Sequence, residues 1–260
     1  MSGQRGFGVA AGLDPQVAGP LAARCAELGY DSMWSNDHPG GLGLETVAAF
    51  ADAAPELELG VAVMALDRHT PADIAAHIDR LRLDRERLWL GVGAGFSERP
   101  LTKMNQALHD LRSALPGVRL VLAAMGPKMC RLAGSSYDGA FFNWMTPEFA
   151  ASARLNVEWG AGDVPRDPPT VFGYVRTAIG ADASERLAKE ESFYRDLHDG
   201  YRNHFDRLEE PEGTVGVAAA NRDEAQPALA AYEALDVLVV RGLASASVEG
   251  MAAVAEAAAP

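Results

Sequence analysis

Short, unbroken apolar stretches alternate along the chain with longer segments in which apolar residues recur at helical spacing. Unbroken apolar stretches are typical of strands that are buried on both faces, as in a parallel sheet covered by helices. The amphipathic segments 15–29, 70–81 and 101–115 are predicted to be helices between such strands. The strands themselves are predicted at residues 6–12, 32–37, 57–66, 87–95, 119–126, 139–146, 170–180 and 236–243.

Several helix boundaries are marked by residue type. A threonine followed by a proline favours a helix start, because the threonine side chain caps the first turn and the proline has no N–H to leave unpaired. This pair occurs at Thr70-Pro71 and again at Thr146-Pro147. Gly29 and Gly180 are placed where an element is predicted to stop.

Strands that alternate with helices indicate a parallel sheet with helices packed on it. The number of strands favours the α/β class and a closed (β/α)8 TIM barrel, built as a single domain over residues 1–260. An open, doubly wound sheet is the alternative fold. Residues 181–235, between the seventh and eighth predicted strands, are predicted to form an excursion within this domain.

The composition restricts the class of protein. With a formal net charge of −13, the chain repels phosphate backbones, which excludes nucleic acid as a partner. Its two cysteines, Cys25 and Cys130, are far apart, which predicts reduced, buried thiols without a disulfide framework or metal-ligand spacing. The N-terminus has no stretch long enough for a signal peptide or a membrane span, so we expect a soluble cytoplasmic protein.

In such a barrel the functional site forms at the carboxyl ends of the strands. Those positions are poor in acids and bases and rich in glycine, apolar and aromatic residues. A hydrolytic metal site needs converging histidine and aspartate ligands, and a serine nucleophile needs a motif such as G-x-S-x-G. Neither pattern is present, so no metal is expected. The strand-end residues are Asn36, Asp37, His38, 64–69, 93–96, 125–127, 143–146, Arg176, Thr177 and Arg241.

A large, flat, apolar ligand with a phosphate group fits these residues better. The glycines of GVGAG, residues 91–95, allow a backbone to approach a ring closely. Residues 125–127 and 144–148 begin predicted helices, and a helix N-terminus attracts phosphate. For GVGAG alone, a tight strand end is an equally good interpretation, because the spaced third glycine of a dinucleotide fingerprint is missing.

Five stretches then occur in order: SMWSNDH, LGVAVMALDRHTPADIA, RLWLGVGAG, LAAMGPKMCRLAGSSYDGAFFNWMTPE and FGYVRTAIG. In this order and on these strands they resemble the luciferase-like monooxygenase superfamily over residues 6–180, and less clearly over 181–260. Members of that superfamily are (β/α)8 oxidoreductases that use flavin or deazaflavin. The resemblance therefore implies a ring system lying across the mouth of the barrel.

The resemblance also implies roles for particular residues. Asp37 and His38 correspond to an Asp-His pair that contacts the reactive part of the coenzyme in deazaflavin-dependent relatives. His38 is predicted to give or take a proton, with Asp37 holding or tuning it. A cis non-proline peptide bond is implied near Ala62-Val63. The residues predicted to contact the coenzyme are Ala62, Val63, Gly93, Ala94, Gly95, Met125, Gly126, Asn143, Trp144, Met145, Thr146 and Arg176.

Aromatic residues are predicted to shape an apolar substrate pocket, namely Trp34 and Phe96, together with Phe142 and Trp144. For Trp34 and Phe142, filling of the core is the competing interpretation, because strand residues alternate between the barrel interior and the helix layer. For His38, the competing interpretation is a histidine that caps a turn.

Two positions depart from the family pattern. Phe96 stands where some deazaflavin-dependent dehydrogenases carry a glutamate, and Thr146 stands where a lysine is often found. These differences argue against a sugar-phosphate dehydrogenase. They also leave the phosphate of the coenzyme to backbone N–H groups, hydroxyls and Arg176.

Two coenzymes are compatible with the resemblance. Coenzyme F420 carries an acidic tail, which a chain of charge −13 disfavours unless Arg68, Arg99 and Lys103 gather at the mouth. The Asp-His pair and NWMTPE are nonetheless more similar to deazaflavin-dependent members, so we predict hydride transfer between F420 and an unidentified small organic substrate. The alternatives are an FMN-dependent monooxygenase and a flavin-binding barrel without catalysis. Family members are often homodimers, which makes a homodimer a further expectation.

Overall fold

Every strand pair in the sheet is parallel, and the sheet closes on itself. In this computed structural model, which describes residues 3–260, a short 3-10 helix at Arg85–Arg87 accompanies the strands and α-helices. The strands are β1 (Gln4–Val9), β2 (Ser32–Ser35), β3 (Glu58–Ala65), β4 (Leu88–Gly93), β5 (Arg119–Ala123), β6 (Gly139–Asn143), β7 (Thr170–Ile179), β8 (Val217–Ala219) and β9 (Val237–Gly242). The helices are α1 (Pro15–Glu27), α2 (Gly43–Ala53), α3 (Pro71–Arg80), α4 (Pro100–Ala114), α5 (Pro127–Ser136), α6 (Pro147–Gly162), α7 (Ala183–Leu197), α8 (Asp199–Leu208), α9 (Arg222–Ala230) and α10 (Val248–Ala257).

Seven consecutive strands and β9 form the barrel. Strands β1 to β7 pair in sequence order, and β9 lies between β7 and β1 and closes the cylinder. The short β8 pairs with the end of β7, where Thr177 stands opposite Val217, and it extends the sheet outside the ring. The predicted (β/α)8 barrel is confirmed, and the open doubly wound alternative is wrong.

The predicted excursion between β7 and the last barrel strand contains α7, α8, β8 and α9. We call α7 and α8 the cap. The carboxylate of Glu191, fully buried on α7, accepts hydrogen bonds from Arg195 at 2.7 Å and from the backbone N–H groups of Gly213 and Val215 at 3.0 and 3.3 Å. The cap packs on the end of β6 through Trp144 and Phe205, whose ring centroids are 5.2 Å apart.

Aromatic rings fill the barrel interior. Trp34 is fully buried there, with its ring centroid 5.1 Å from those of Phe141 and Phe172. The indole N–H donates to the Ser32 hydroxyl at 2.9 Å, so the one polar atom of the ring is satisfied. A Cβ at Gly60 would collide with the Trp34 ring, because glycine leaves the space that the indole occupies. The competing interpretation of Trp34 as core filling is therefore the one that the structure shows.

Strand β3 is irregular at the position that the resemblance implied. The Ala62-Val63 peptide bond is cis, and the pairing register with β4 shifts between Val61 and Met64. A Cβ at Gly91 would stand 2.7 Å from the Val61 carbonyl oxygen and 3.0 Å from the Ala62 Cα. Gly91 thus lets the irregular part of β3 approach β4, which gives the predicted glycine-rich strand a role within the fold.

Two smaller predictions, the helix caps and the buried, free cysteines, are also confirmed. The Thr70 and Thr146 side chains cap α3 and α6, each followed by proline in the first turn. Cys25 and Cys130 are free and buried, and burial raises the pKa of both thiols. Among residues 3–260, no helix combines the length and the apolar character needed to cross a membrane.

We expect Gly60→Ala to destabilise the protein by about 1–3 kcal/mol, because the added methyl group forces the Trp34 ring out of its packing. Urea unfolding of the single variants and of Gly60→Ala combined with Trp34→Leu measures the coupling between the two sites. The smaller side chain at position 34 should remove most of the cost of the methyl group. Additive effects of the two substitutions would contradict this account of the barrel interior.

Candidate active site

The end of β2 turns sharply after His38. The backbone of His38 exchanges hydrogen bonds with Gly41 at 3.2 and 3.0 Å, which closes a tight turn over residues 38–41. Within it, His38 Nδ1 accepts from the Gly40 N–H at 3.1 Å, and Nε2 stands 3.3 Å from the Ala11 carbonyl oxygen. A neutral imidazole whose Nδ1 accepts must carry its proton on Nε2, so the turn selects that tautomer. The structure thus contains the turn-capping histidine that was the competing interpretation, at the mouth where the sequence placed it.

Asp37 points away from this turn. Its side chain is 1% exposed and accepts from Arg68 at 2.6 Å, from His69 Nε2 at 2.9 Å and from the Gly43 N–H at 3.0 Å. Among the described residues, no hydrogen bond joins the Asp37 carboxylate to His38, because groups from α2 and the loop after β3 engage it. Asp37 ties the ends of β2 and β3 together, and its partner His69 was not predicted.

The loop after β4 is also held in place by hydrogen bonds to charged side chains. The Asp67 carboxylate accepts from the Phe96 N–H at 2.9 Å, and it occupies the place that a Cβ at Gly95 would take. Gly95 also has a φ of 63°, a conformation that favours glycine. Lys103 donates from Nζ to the Ala94 carbonyl oxygen at 3.2 Å. Gly93 faces the Val63 side chain, so the predicted coenzyme residues of β3 and β4 lie next to each other.

Two helix N-termini stand at the ends of β5 and β6. Gly126 precedes α5 without a side-chain cap, and no atom lies within 4 Å of the place where its Cβ would be. Thr146 caps α6, its hydroxyl accepting from the Phe149 N–H at 3.2 Å. Met125 is half-buried beside Gly126, and Met145 is buried before Thr146. The N-terminus of α5 is therefore the more open of the two toward an anion.

Aromatic and amide groups surround Arg176 on β7. Its guanidinium lies 4.1 Å from the Trp144 ring centroid and 5.0 Å from that of Tyr194, and it donates to the Asn143 side-chain oxygen. Asn143 also donates to the Tyr201 hydroxyl at 3.4 Å. Both tyrosines belong to the cap and were not predicted, because their sequence segment has the charge pattern of a solvated helix.

The predicted pocket aromatics occupy different environments. Trp34 lies in the barrel interior, Phe142 packs between the barrel and its helices, and Trp144 is buried beneath the cap. Phe96 is 65% exposed at the mouth, with its ring centroid 4.8 Å from that of His198 in the cap. Phe96 is thus the one of these four that offers an apolar surface to a ligand at the mouth.

The predicted gathering of Arg68, Arg99 and Lys103 is partial. Arg68 is bound to Asp37, whereas Arg99 and Lys103 line a groove of about 530 Å³ beside the mouth, together with Asp110. A second groove, of about 410 Å³, lies on the outer helices α4, α5 and α6. Within residues 3–260, no group of histidine, cysteine, aspartate or glutamate side chains is arranged to hold a metal ion.

Comparison with known proteins gives a direct match to part of the chain. A family model described as luciferase-like monooxygenase matches residues 2–116. A 5,10-methylenetetrahydromethanopterin reductase of Methanolobus tindarius is 26% identical over 210 residues, which cover 66% of this chain and 64% of that protein. Residues 2–116 are thus similar to the luciferase-like monooxygenase family. The aligned part spans less than two thirds of the reductase.

Solved structures show the same barrel fold over nearly the whole length of the chain. An F420-dependent secondary alcohol dehydrogenase in complex with an F420–acetone adduct superimposes with a TM-score of 0.74 at 18% identity and covers 99% of each chain. The coenzyme F420 dependent tetrahydromethanopterin reductase from Methanopyrus kandleri gives 0.75 at 14% identity, over 99% and 97%. The FMN complex of the oxygenating constituent of 3,6-diketocamphane monooxygenase from Pseudomonas putida gives 0.69 at 13% identity, over 100% and 98%. At these identities the likeness concerns the fold.

We expect Asp37→Asn to lower the free energy of unfolding by about 1–3 kcal/mol, because it removes a buried charge that Arg68, His69 and Gly43 all contact. Asp79→Asn is the control, since Asp79 is 67% exposed and pairs with Arg85 on the surface. Asp79→Asn should lower the free energy of unfolding by less than about 1 kcal/mol. Urea unfolding measures both, and equal effects would contradict the anchoring role of Asp37.

A pH dependence follows from His204 on α8. Burial lowers the pKa of this imidazole below its usual value of 6.5, although its Nε2 donates to the Trp144 carbonyl oxygen at 2.6 Å. Below about pH 6.5 the unfolded chain takes up a proton at His204 and the folded chain does not, so stability falls as the pH falls. This contribution is complete above the unfolded pKa and decreases down to the lowered, folded pKa.

The melting temperature of the wild type should therefore fall more between about pH 7 and pH 5 than that of His204→Gln, which keeps an N–H donor but does not titrate. Differential scanning calorimetry in buffers of matched ionic strength compares the two proteins. Parallel melting curves across this range would show that His204 does not contribute to the pH dependence.

Proposed function

We propose that the chain is an oxidoreductase whose barrel mouth holds coenzyme F420, with hydride passing between that coenzyme and a small organic substrate. The observation that carries the proposal is His38, a half-buried imidazole at the end of β2 whose proton is held on Nε2 by the turn. Its contact with the Ala11 carbonyl is long, at 3.3 Å, so the same N–H can turn to a ligand oxygen at little cost.

The residues at the mouth fit a flat coenzyme with a phosphate. Space stands open at Gly126 before α5, and Arg176 carries a buried Nε for which residues 3–260 provide no hydrogen-bond partner. Ala62 and Val63 on β3, with the loop 93–95, would lie against the ring. Asn143, Trp144, Met145 and Thr146, with Met125 and Gly126, would hold the phosphate side. When bound, the coenzyme supplies or accepts the hydride.

His38 acts on the substrate oxygen in this proposal. If a carbonyl group were reduced there by hydride from the coenzyme, a hydrogen bond from His38 Nε2 would stabilise the negative charge on its oxygen, and a proton from water would complete the hydroxyl group. Because Nδ1 already accepts from the Gly40 N–H, the nitrogen left for a ligand is Nε2, which acts as a donor. Phe96 provides an apolar wall beside the substrate and excludes water.

Relatives support the choice of coenzyme. The Methanolobus reductase and two of the similar structures bear names that point to methanopterin or F420 chemistry. FMN-dependent oxygenation is the second candidate, and the basic residues favour it. Arg68 is held by Asp37 and Lys103 by the Ala94 carbonyl, which leaves fewer free cations for the acidic tail of F420.

Absorbance and binding distinguish these candidates. The purified protein is titrated with F420 and with FMN, and fluorescence quenching of each coenzyme gives its dissociation constant. We expect F420 to bind at least tenfold more tightly than FMN. Tighter binding of FMN would favour the monooxygenase, and binding of neither coenzyme would refute the proposed function.

His38 is tested by His38→Gln and His38→Ala in the coenzyme reduction assay, with His109→Gln on the exposed face of α4 as the control. Loss of a hydrogen bond to a developing charge should lower kcat in His38→Ala by about 100-fold, with coenzyme affinity retained. Gln keeps an N–H donor and should retain more activity than Ala. Wild-type rates in both variants would show that His38 is only a turn cap.

A further inference from the structure

Two arginines stand side by side inside the barrel mouth. Arg176 on β7 and Arg241 on β9 are partners in the parallel register of these neighbouring strands. Both face the interior, because Tyr174 and Val239, two positions earlier on the same strands, line it. The residues are 3% and 6% exposed. Two like charges are thus held next to each other away from water, an arrangement that is costly unless an anion joins them.

Among residues 3–260, no carboxylate lies within salt-bridge distance of either arginine, and Glu190 raises the pKa of Arg241 only through its charge at longer range. Arg176 contacts the Asn143 amide oxygen and aromatic rings, and Arg241 donates to the carbonyl oxygen of Gly242 at 3.1 Å. Half-buried arginines elsewhere have a carboxylate partner, as Arg195 has in Glu191 at 2.7 Å, or donate to carbonyl oxygens, as Arg87 does. Arg176 and Arg241 differ from them because both are buried and they lie next to each other, which makes a missing counter-ion more costly.

Hydrogen-bonding groups around the pair are also left without partners. Arg176 Nε, the Tyr174 hydroxyl and Trp144 Nε1 are buried and have no hydrogen-bond partner within residues 3–260. Buried polar groups are nearly always paired, so unpaired groups near two cations indicate a ligand. Burial lowers the pKa of Arg241, and the charge of Arg176 lowers it further, which reflects the same unbalanced field.

We propose that Arg176 and Arg241 form a buried binding site for an oxyanion, a carboxylate or phosphate group carried by the substrate or by the coenzyme. Arginine suits this task because its planar fork binds two oxygens of one anion. Asn143 positions Arg176, and the rings of Trp144 and Tyr194 hold its guanidinium in place. The site adds to the proposed function the prediction that a ligand at the mouth is negatively charged. It rests on the proposed function only in the choice of the molecule, coenzyme or substrate, that carries the anionic group.

Binding of inorganic phosphate and of benzoate to the coenzyme-free protein tests the site directly. Calorimetric titration and thermal shifts are compared with chloride at the same ionic strength, for the wild type and for Arg241→Met. We expect the variant to bind both anions at least about tenfold more weakly. Without anion, it should melt at the same temperature as the wild type or higher, because a repulsive, desolvated charge is gone.

Two further variants act as controls. Arg241→Lys keeps the charge but loses the planar fork, and it should bind phosphate with intermediate affinity. Arg80→Met removes the same charge from an exposed pair with Glu45 and should leave anion binding unchanged. The proposal fails if the wild type binds neither anion, or if Arg241→Met binds them as the wild type does. If Arg241→Met melts at a lower temperature than the wild type and still binds the anions, the two arginines have a structural role instead.

Coenzyme derivatives that lack phosphate show whether the coenzyme or the substrate carries the anionic group. If the coenzyme bears the group, Arg241→Met weakens FMN and F420 but not riboflavin or the phosphate-free deazaflavin riboside. If the substrate bears it, all four bind equally to both proteins, and the coenzyme-loaded variant loses benzoate or phosphate binding. If the proposed function is wrong, the wild type binds no coenzyme but still binds the anions.

Discussion

Filling the inside of the closed sheet is the constraint on which the rest of this structure depends. The small radius of an eight-stranded barrel leaves room for a limited set of side chains, and here aromatic rings around Trp34 occupy it. Glycines on the neighbouring strands, such as Gly6 and Gly60, give these rings their space. Because these rings fill the space around Trp34, a ligand has room only above them, on the rim that the carboxyl ends of the strands form.

On that rim, charge is distributed unevenly. The side formed by β2, β3 and β4 satisfies its own polar groups, since Asp37 and Asp67 each hold a neighbouring loop. The opposite side, β7 and β9, presents cations and donors that the described chain leaves unbalanced. A ligand that spans the mouth thus meets a neutral, preorganised turn at one end and a positive field at the other, which orients any molecule with one anionic end.

Much of this arrangement could be predicted from the sequence. Buried parallel strands and proline-marked helix starts are local signals, so the strand positions, the caps at Thr70 and Thr146 and the place of His38 on the rim were all accessible. The partner of Asp37 was not, because the choice among nearby cations depends on loop geometry between strands. For Trp34, the sequence alone indicates an aromatic residue near the end of a strand. Only the radius of the closed barrel shows that its ring points inward. The tyrosines of the cap lie on helices with a charged surface, and no local pattern shows what such a helix covers.

The excursion that contains the cap meets β7 in two ways. The end of that strand pairs with β8, and Arg176 of the same strand contacts both the Trp144 ring after β6 and the Tyr194 ring of the cap. The remaining barrel strands close without it. Sequence changes in the cap can therefore alter the wall of the rim while leaving ring closure untouched. Among proteins built in this way, differences in substrate range would arise mainly from changes in the excursion between β7 and β9. The packing of the barrel itself would limit changes elsewhere.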